Sequence, residues 1–213
     1  APLASPLGAL GDTGSALFAT IGILAALRHR DATGVGEHVD IAMLDAMVAL
    51  GDAGVNYLSL GIGGGGETPG INDAFAAADG FFILQCGRPH MFEALAGLIG
   101  RSEWLTDPDL ATATHWRAHL EDRIRPAVEG WAASLTRDEA CAALGEAGLA
   151  AGPVRTAAEV VVDEHVVEHG MVIEIDRPQG DGPPVFTTGN PVKLSNTTEG
   201  PERRMPWLGE HTD

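Results

Sequence analysis

Gly11-Asp12-Thr13-Gly14-Ser15, followed at once by the apolar run Ala16 to Leu27, is the stretch on which the reading of this chain turns. An Asp directly ahead of an apolar run is a good helix N-cap, because its carboxylate accepts from the first free backbone N–H groups. Asp12 is therefore expected at the junction of loop and helix, and ionised. Leu17, Phe18, Ile21, Ile23, Leu24 and Leu27 cover more than one stripe, which predicts a helix over about 14–30 that is buried nearly all round. Arg28 and Arg30 at its far end complement the negative pole of the dipole. A charge held at such a dry end is either a cap or a reagent, and the local pattern alone favours the cap.

Composition narrows the field. The chain has 213 residues, of which 45% are hydrophobic, enough for one large or two small domains with a real core. Its net charge of -17, with only 13 Lys and Arg, argues against nucleic-acid binding, where clustered cations must neutralise phosphates. Cys86 and Cys141 lie far apart with no CxxC spacing, which suits a reduced, cytoplasmic protein. No signal-peptide pattern opens the chain, and the apolar run after Asp12 reads as too short to span a bilayer, so no membrane partner is expected.

Further along, residues 37–42 alternate polar and apolar and predict a short strand, and residues 43–60 return to helical spacing. Gly63, Gly64, Gly65 and Gly66 abolish any regular element, and on composition alone serve equally as a linker or as a ligand-hugging loop. Residues 80–85 read as a buried strand, and 88–100 as an amphipathic helix with Met91, Leu95, Leu98 and Ile99 inward. A helix pair follows over 114–135, broken near Pro126. Thr136-Arg137-Asp138-Glu139 is a capping box for a helix over 138–147, which Gly148 ends. One short helix is expected within 152–167, then a strand at 171–175, a turn at 178–184, a returning strand at 185–188 that residues 191–194 extend, and an irregular tail from Glu199.

The segment from Gly22 through Arg30 and on through Thr33-Gly34-Val35-Gly36-Glu37-His38-Val39-Asp40-Ile41-Ala42-Met43-Leu44-Asp45-Ala46 resembles the central part of the family III CoA-transferases, the group of formyl-CoA transferase, crotonobetainyl-CoA transferase and alpha-methylacyl-CoA racemase. Gly63 to Glu67 is similar to that family's glycine-rich active-site loop, Ala78-Asp79-Gly80-Phe81-Phe82 to its strand-opening turn, and Leu208 to Asp213 to its C-terminal LGEHT signature. Ala151-Gly152-Pro153-Val154 fits a fourth element.

The resemblance implies an α/β fold lacking most of an N-terminal Rossmann-like half, since no GxGxxG follows a strand here. It divides the chain into 1–60 (large domain and linker helices), 61–167 (small α+β domain) and 168–213 (returning segment and tail). It makes Asp12 the catalytic aspartate, places Met43 near the CoA moiety and makes Gly63 to Gly66 a lid over a thioester. Coenzyme A enters as acyl-CoA substrate with a carboxylic acid as its partner, and no metal is implied. The expected assembly is an interlocked homodimer, or pairing with a companion chain that carries the missing half.

Two other readings stay open. In racemases of this family an Ile-Glu-Pro sequence lines up with Gly87-Arg88-Pro89, so Arg88 weakens a 2-methylacyl-CoA racemase and the glycine run strengthens a transferase. A catalytically silent fragment or assembly subunit is the third. His90, just after a strand, is open to two readings, a residue facing the site or a surface residue at a helix N-terminus, of which the second is favoured, and His38 reads as exposed. His115 with His119, and His165 with His169, have a spacing that suits a ligand pair, but no third ligand is evident and solvated faces are expected. Glu210 and His211 read as a docking motif.

Overall fold

The computed structural model describes residues 9–61, 69–177, 182–197, 208–210 and 212. Two helices open it: α1 (Leu10–Thr33) and α2 (Met43–Leu50), with α3 (Asp52–Ser59) following after a break at Gly51. Next come β1 (Ile71–Ala77), β2 (Gly80–Cys86), α4 (Pro89–Leu98), two short 3-10 turns, α5 (Ala113–Ala118), α6 (Arg125–Ala132), α7 (Arg137–Glu146) and β3 (Ala150–Pro153). The short helices α8 (Ala157–Val160) and α9 (Glu164–Glu168) lead to β4 (Val172–Ile175) and β5 (Val185–Thr188).

β1, β2 and β3 form an antiparallel sheet with β2 in the middle, and the register sets Phe75 opposite Phe82 and Ile71 opposite Cys86. Alternate residues of β2 (Phe82, Leu84, Cys86) point into the core, as a sheet with one covered face requires. The core cluster runs from Ile71 to Leu149, and α4 to α7 supply Phe92, Leu95, Trp116, Val128 and Leu144 to it, with Ile124 from the turn before α6. Phe92 lies between two indoles, with ring centroids 5.8 Å from Trp104 and 4.2 Å from Trp116, and Trp116 donates its Nε1–H to the Leu110 carbonyl at 2.6 Å.

Two strands do not show in the sequence pattern. β1 is Ile-Asn-Asp-Ala-Phe-Ala-Ala and β3 is Ala-Ala-Gly-Pro, both poor in β-branched residues, so cross-strand pairing and not propensity makes them strands. Residues 37–42 fail for the converse reason. They alternate correctly but form no ladder among the described residues, and Val39 instead packs its Cγ1 against Gly22 of α1. Residues 191–194 likewise do not extend β5. β4 and β5 do pair antiparallel, with Val172 opposite Thr188.

The break expected near Pro126 falls earlier. Residues 120–124 are a π turn, in which the Ile124 N–H reaches back to the His119 carbonyl at 3.1 Å, and Pro126 follows it at the second position of α6. Residues 152–167 hold two short helices, each opened by its own cap, Thr156 and Asp163.

Gly70 anchors the start of β1. It adopts φ +99°, is buried, and donates its N–H to the Ala113 carbonyl at 2.8 Å. A Cβ there would stand 2.8 Å from the Cys86 carbonyl oxygen and 3.1 Å from the Gly87 Cα, both of them backbone that cannot rotate away. Gly70→Ala is expected to destabilise the chain by about 1–3 kcal/mol, read as a lower midpoint in chemical denaturation.

Arg137 ties three segments together. Its backbone N–H donates to the Asp79 carboxylate at 2.7 Å, its Nη1 donates to the Val154 carbonyl at 2.6 Å, and its Nη2 pairs with Glu159. Glu159 also accepts from the Thr156 N–H, and this bond first, with the Arg137 contact second, holds its carboxyl down at about 2. A folded-state value below the ordinary one stabilises the fold above the ordinary range and loses that contribution as protons return. Stability is therefore expected to fall as pH drops from about 4.5 towards 2. Glu159→Gln should flatten that part of the profile.

The first helix departs most from expectation. α1 begins at Leu10 with Ala9 as cap, so Asp12 stands in the first turn as its third residue and not at the cap. Gly14 is its one buried residue, while Leu17 (63%), Ile21 (64%) and Leu24 (61%) are exposed, which corrects the reading of a helix buried all round. α2 and the 36–41 segment, with Val39 against Gly22, cover only one flank, and nothing else among the described residues covers the rest. At 24 residues α1 is also long and apolar enough to cross a bilayer by length and composition, which corrects the expectation of too short a run.

Candidate active site

At the start of α1 the first backbone hydrogen bond is from the Thr13 N–H to the Ala9 carbonyl at 2.9 Å. The N–H groups of Leu10, Gly11 and Asp12 have no acceptor within the helix, as at any helix N-terminus, and they make its positive pole. Asp12 is exposed there, and its carboxylate has no hydrogen-bond or ion-pair partner among the described residues. The helix dipole favours negative charge at this place, and no cation among the described residues pairs with Asp12.

Glycines let α2 come close. A Cβ on Gly11 would meet Met43 Sδ at 2.9 Å, and one on Gly14 would meet Met47 Cε at 2.7 Å and Leu50 Cδ1 at 3.0 Å. Gly11 and Gly14 are one turn apart on α1, and Met43 and Met47 one turn apart on α2, so the two helices mesh at the Asp12 end. Met43, half exposed, thus lies against the residue next to Asp12. The structure brings these two sequence-predicted residues together through the glycine between them. Gly63, Gly64, Gly65 and Gly66, with Glu67, lie outside the described residues, as does His211.

Beside this junction a cavity of about 190 Å³ is lined by Phe18, Asp40, Ile41, Ala42, Asp45 and Ala46. Further down α1 a second, of about 300 Å³, lies among Ile23, Leu27, Arg30, Gly36, Glu37 and Val39. Both include carboxylates. A third, of about 400 Å³, opens in the small sheet unit around Arg88 and His90.

Other candidates find ordinary places. His38 and His90 are exposed. His119 contacts Asp122 at 3.1 Å, and His165 and His169 stack against each other with ring centroids 4.1 Å apart. Among the described residues no three His, Cys, Asp or Glu side chains converge as a metal site. Burial pushes the Cys86 thiol up to about 12 and raises that of Cys141, which keeps both protonated and poor nucleophiles at neutral pH. Asp79 has a role that its sequence context does not reveal: it caps α7 from the turn before β2 by accepting the Arg137 N–H. The Asp79-Gly80 pair signals the turn, but only the fold brings α7 to it.

The sequence model of CoA-transferase family III matches residues 4–212. The chain is 30% identical over 213 residues to succinyl-CoA:mesaconate CoA-transferase of Haloarcula hispanica, covering 95% of this chain and 51% of that protein. It is 30% identical to formyl-CoA:oxalate CoA-transferase of Escherichia coli, covering 99% of this chain and 56% of the relative. The chain thus spans about half the length of the curated relatives it matches. Among solved structures, a CAIB/BAIF family protein from Brucella suis superposes with a TM-score of 0.72 at 30% identity, covering 99% of this chain and 55% of that one. An Asp-to-Ala mutant of Rv3272 from Mycobacterium tuberculosis gives 0.79 at 25% identity, covering 100% and 55%. Sequence pattern and backbone trace agree along nearly the whole length, and the chain belongs to CoA-transferase family III.

Proposed function

We propose that this chain carries the acyl-accepting carboxylate of an enzyme that moves CoA between carboxylic acids, and that the carboxylate is Asp12. The observation that carries the reading is the placement of Asp12: a carboxylate with no partner among the described residues, in the first turn of a long helix, beside backbone N–H groups that have no acceptor within the helix, and next to Met43. An ionised carboxylate is needed because the protonated acid is a poor nucleophile. The Asp12 carboxylate attacks the thioester carbonyl, the C–S bond breaks, and CoA leaves as thiolate with an acyl-aspartyl anhydride formed. The thiolate then attacks the aspartyl carbonyl and expels the first acid, which leaves an aspartyl-CoA thioester. The acceptor carboxylate repeats the sequence in reverse, so that CoA ends on the second acid and Asp12 is restored.

In this reading the backbone N–H groups at the start of α1 stabilise the oxyanion of each tetrahedral intermediate. Met43 flanks the CoA chain in this reading, and Gly63 to Gly66 close over the intermediate to exclude water. The test is transfer by the complete enzyme with Asp12 replaced, argued in the Discussion. A 2-methylacyl-CoA racemase is the competing reading; it would wash solvent deuterium into C2 of an acyl-CoA with no acceptor present. No such exchange is expected here.

The exposed apolar residues of α1 support a chain whose first helices are covered by another copy or by a companion chain. Sedimentation of this chain is expected to show concentration-dependent association. A monodisperse monomer without CoA affinity would speak for a silent fragment instead.

A further inference from the structure

The 400 Å³ cavity where β2 ends and α4 begins is not used by any step above. It is lined by Gln85, Gly87, Arg88, His90, Met91 and Gly148, and its size falls within the roughly 300–1,000 Å³ of small-molecule clefts. Three of these side chains, the Gln85 amide, the Arg88 guanidinium and the His90 imidazole, can donate hydrogen bonds, and no acidic side chain among the described residues lines it. That is unusual in a chain with a net charge of -17, and the two cavities beside α1 both include carboxylates.

Arg88 also stands apart from its neighbours in the same unit. Arg101 is held by Glu103, Arg117 by Asp73, Arg123 by Asp107, Arg125 by Asp73 and Glu121, Arg137 by Glu159 and Arg155 by Asp138. Arg88 has no such carboxylate among the described residues, and the side chains of Gln85 and His90 make no hydrogen bond or ion pair there. The backbone at Arg88 is extended (φ -129°, ψ 150°) and is followed by Pro89, which favours that conformation in the residue before it. Its carbonyl accepts from the N–H groups of Met91 (3.0 Å) and Phe92 (3.1 Å), which fixes the corner from which the side chain extends.

We propose that this cavity is an oxyanion-binding site in which Arg88 takes a carboxylate or phosphate through paired N–H donors, with Gln85 and His90 as further donors. The site stands on its own geometry, and only the names of its natural occupants rest on the transferase reading. That reading supplies two sources of one chemistry: the carboxylate of the acid and the phosphates of CoA.

The test is an NMR titration of the purified chain with succinate in one arm and adenosine 3′,5′-bisphosphate, the nucleotide end of CoA, in the other. Saturable shifts are expected at the Gln85 side-chain amide and at the backbone amides of Arg88 and His90. Arg88→Ala should weaken binding at least tenfold, whereas Arg101→Ala, which removes a paired arginine elsewhere on the surface, should leave it unchanged. Gly87→Ala offers a second variant that keeps the charge: nothing lies within 4 Å of a Cβ there, so the added methyl enters the cavity without a clash and should weaken binding. Response to succinate alone assigns the acid, response to the nucleotide alone assigns CoA, and either supports the site. Absence of saturable shifts with both ligands, or equal binding by Arg88→Ala, overturns it. Asp12→Ala separates the two proposals, because it should abolish transfer in the complete enzyme and leave anion binding to this chain intact.

Discussion

Replacing Asp12 by Ala in the complete enzyme is expected to lower CoA transfer by on the order of 10³-fold or more, the scale on which covalent catalysis fails when its nucleophile is removed. Asp12→Asn should do the same, since it keeps the shape and removes the charge. The fold should hardly notice. Asp12 is exposed and its carboxylate has no partner among the described residues, so the loss is a helix-dipole interaction of about 0.3–1 kcal/mol. Activity and denaturation midpoint must therefore separate. Transfer within about tenfold of the unsubstituted enzyme would remove Asp12 from the chemistry, and trapping of an acyl group on Asp12 by mass spectrometry would place it there directly.

Phe92→Ala carries the largest expected effect on stability. Phe92 is 3% exposed and its ring lies between Trp104 and Trp116, so truncation opens a void bounded by two rigid indoles that cannot collapse into it. Phe-to-Ala changes at such sites cost about 3–5 kcal/mol, a large part of the roughly 5–15 kcal/mol that holds a typical domain together. Tryptophan fluorescence in a urea titration reads the change at the site itself, because both indoles border the void. Leu58→Ala is the matched control: Leu58 is 77% exposed, and its truncation should shift stability by no more than about 0.5 kcal/mol. Equal effects at the two positions would mean that the sheet unit around Phe92 is not the centre of folding in this chain.

Features written in a few neighbouring residues are legible in the sequence alone. Thr136 and Glu139 exchange both capping-box bonds, and α7 begins where they indicate. Gly148 ends that helix region at φ +78°. The run from Gly80 to Cys86 is the central strand, and β5 returns against β4 as the turn residues between them suggest. Asp12 and Met43 both stand out through the family resemblance, but nothing in their separate contexts says that Gly11 lets Met43 pack beside the helix start.

Local chemistry in the chain thus settles the caps, the turns and the period of the stronger helices, because each depends on groups within about one turn of one another. Contact between distant segments settles the rest. β1 and β3 are strands only because β2 lies between them, Asp79 is a cap only because α7 arrives beside it, and residues 37–42 stay unpaired because no ladder reaches them among the described residues. The same reason explains α1: its composition records a helix suited to burial, while exposure depends on which surfaces are present to cover it, and the described residues cover one flank.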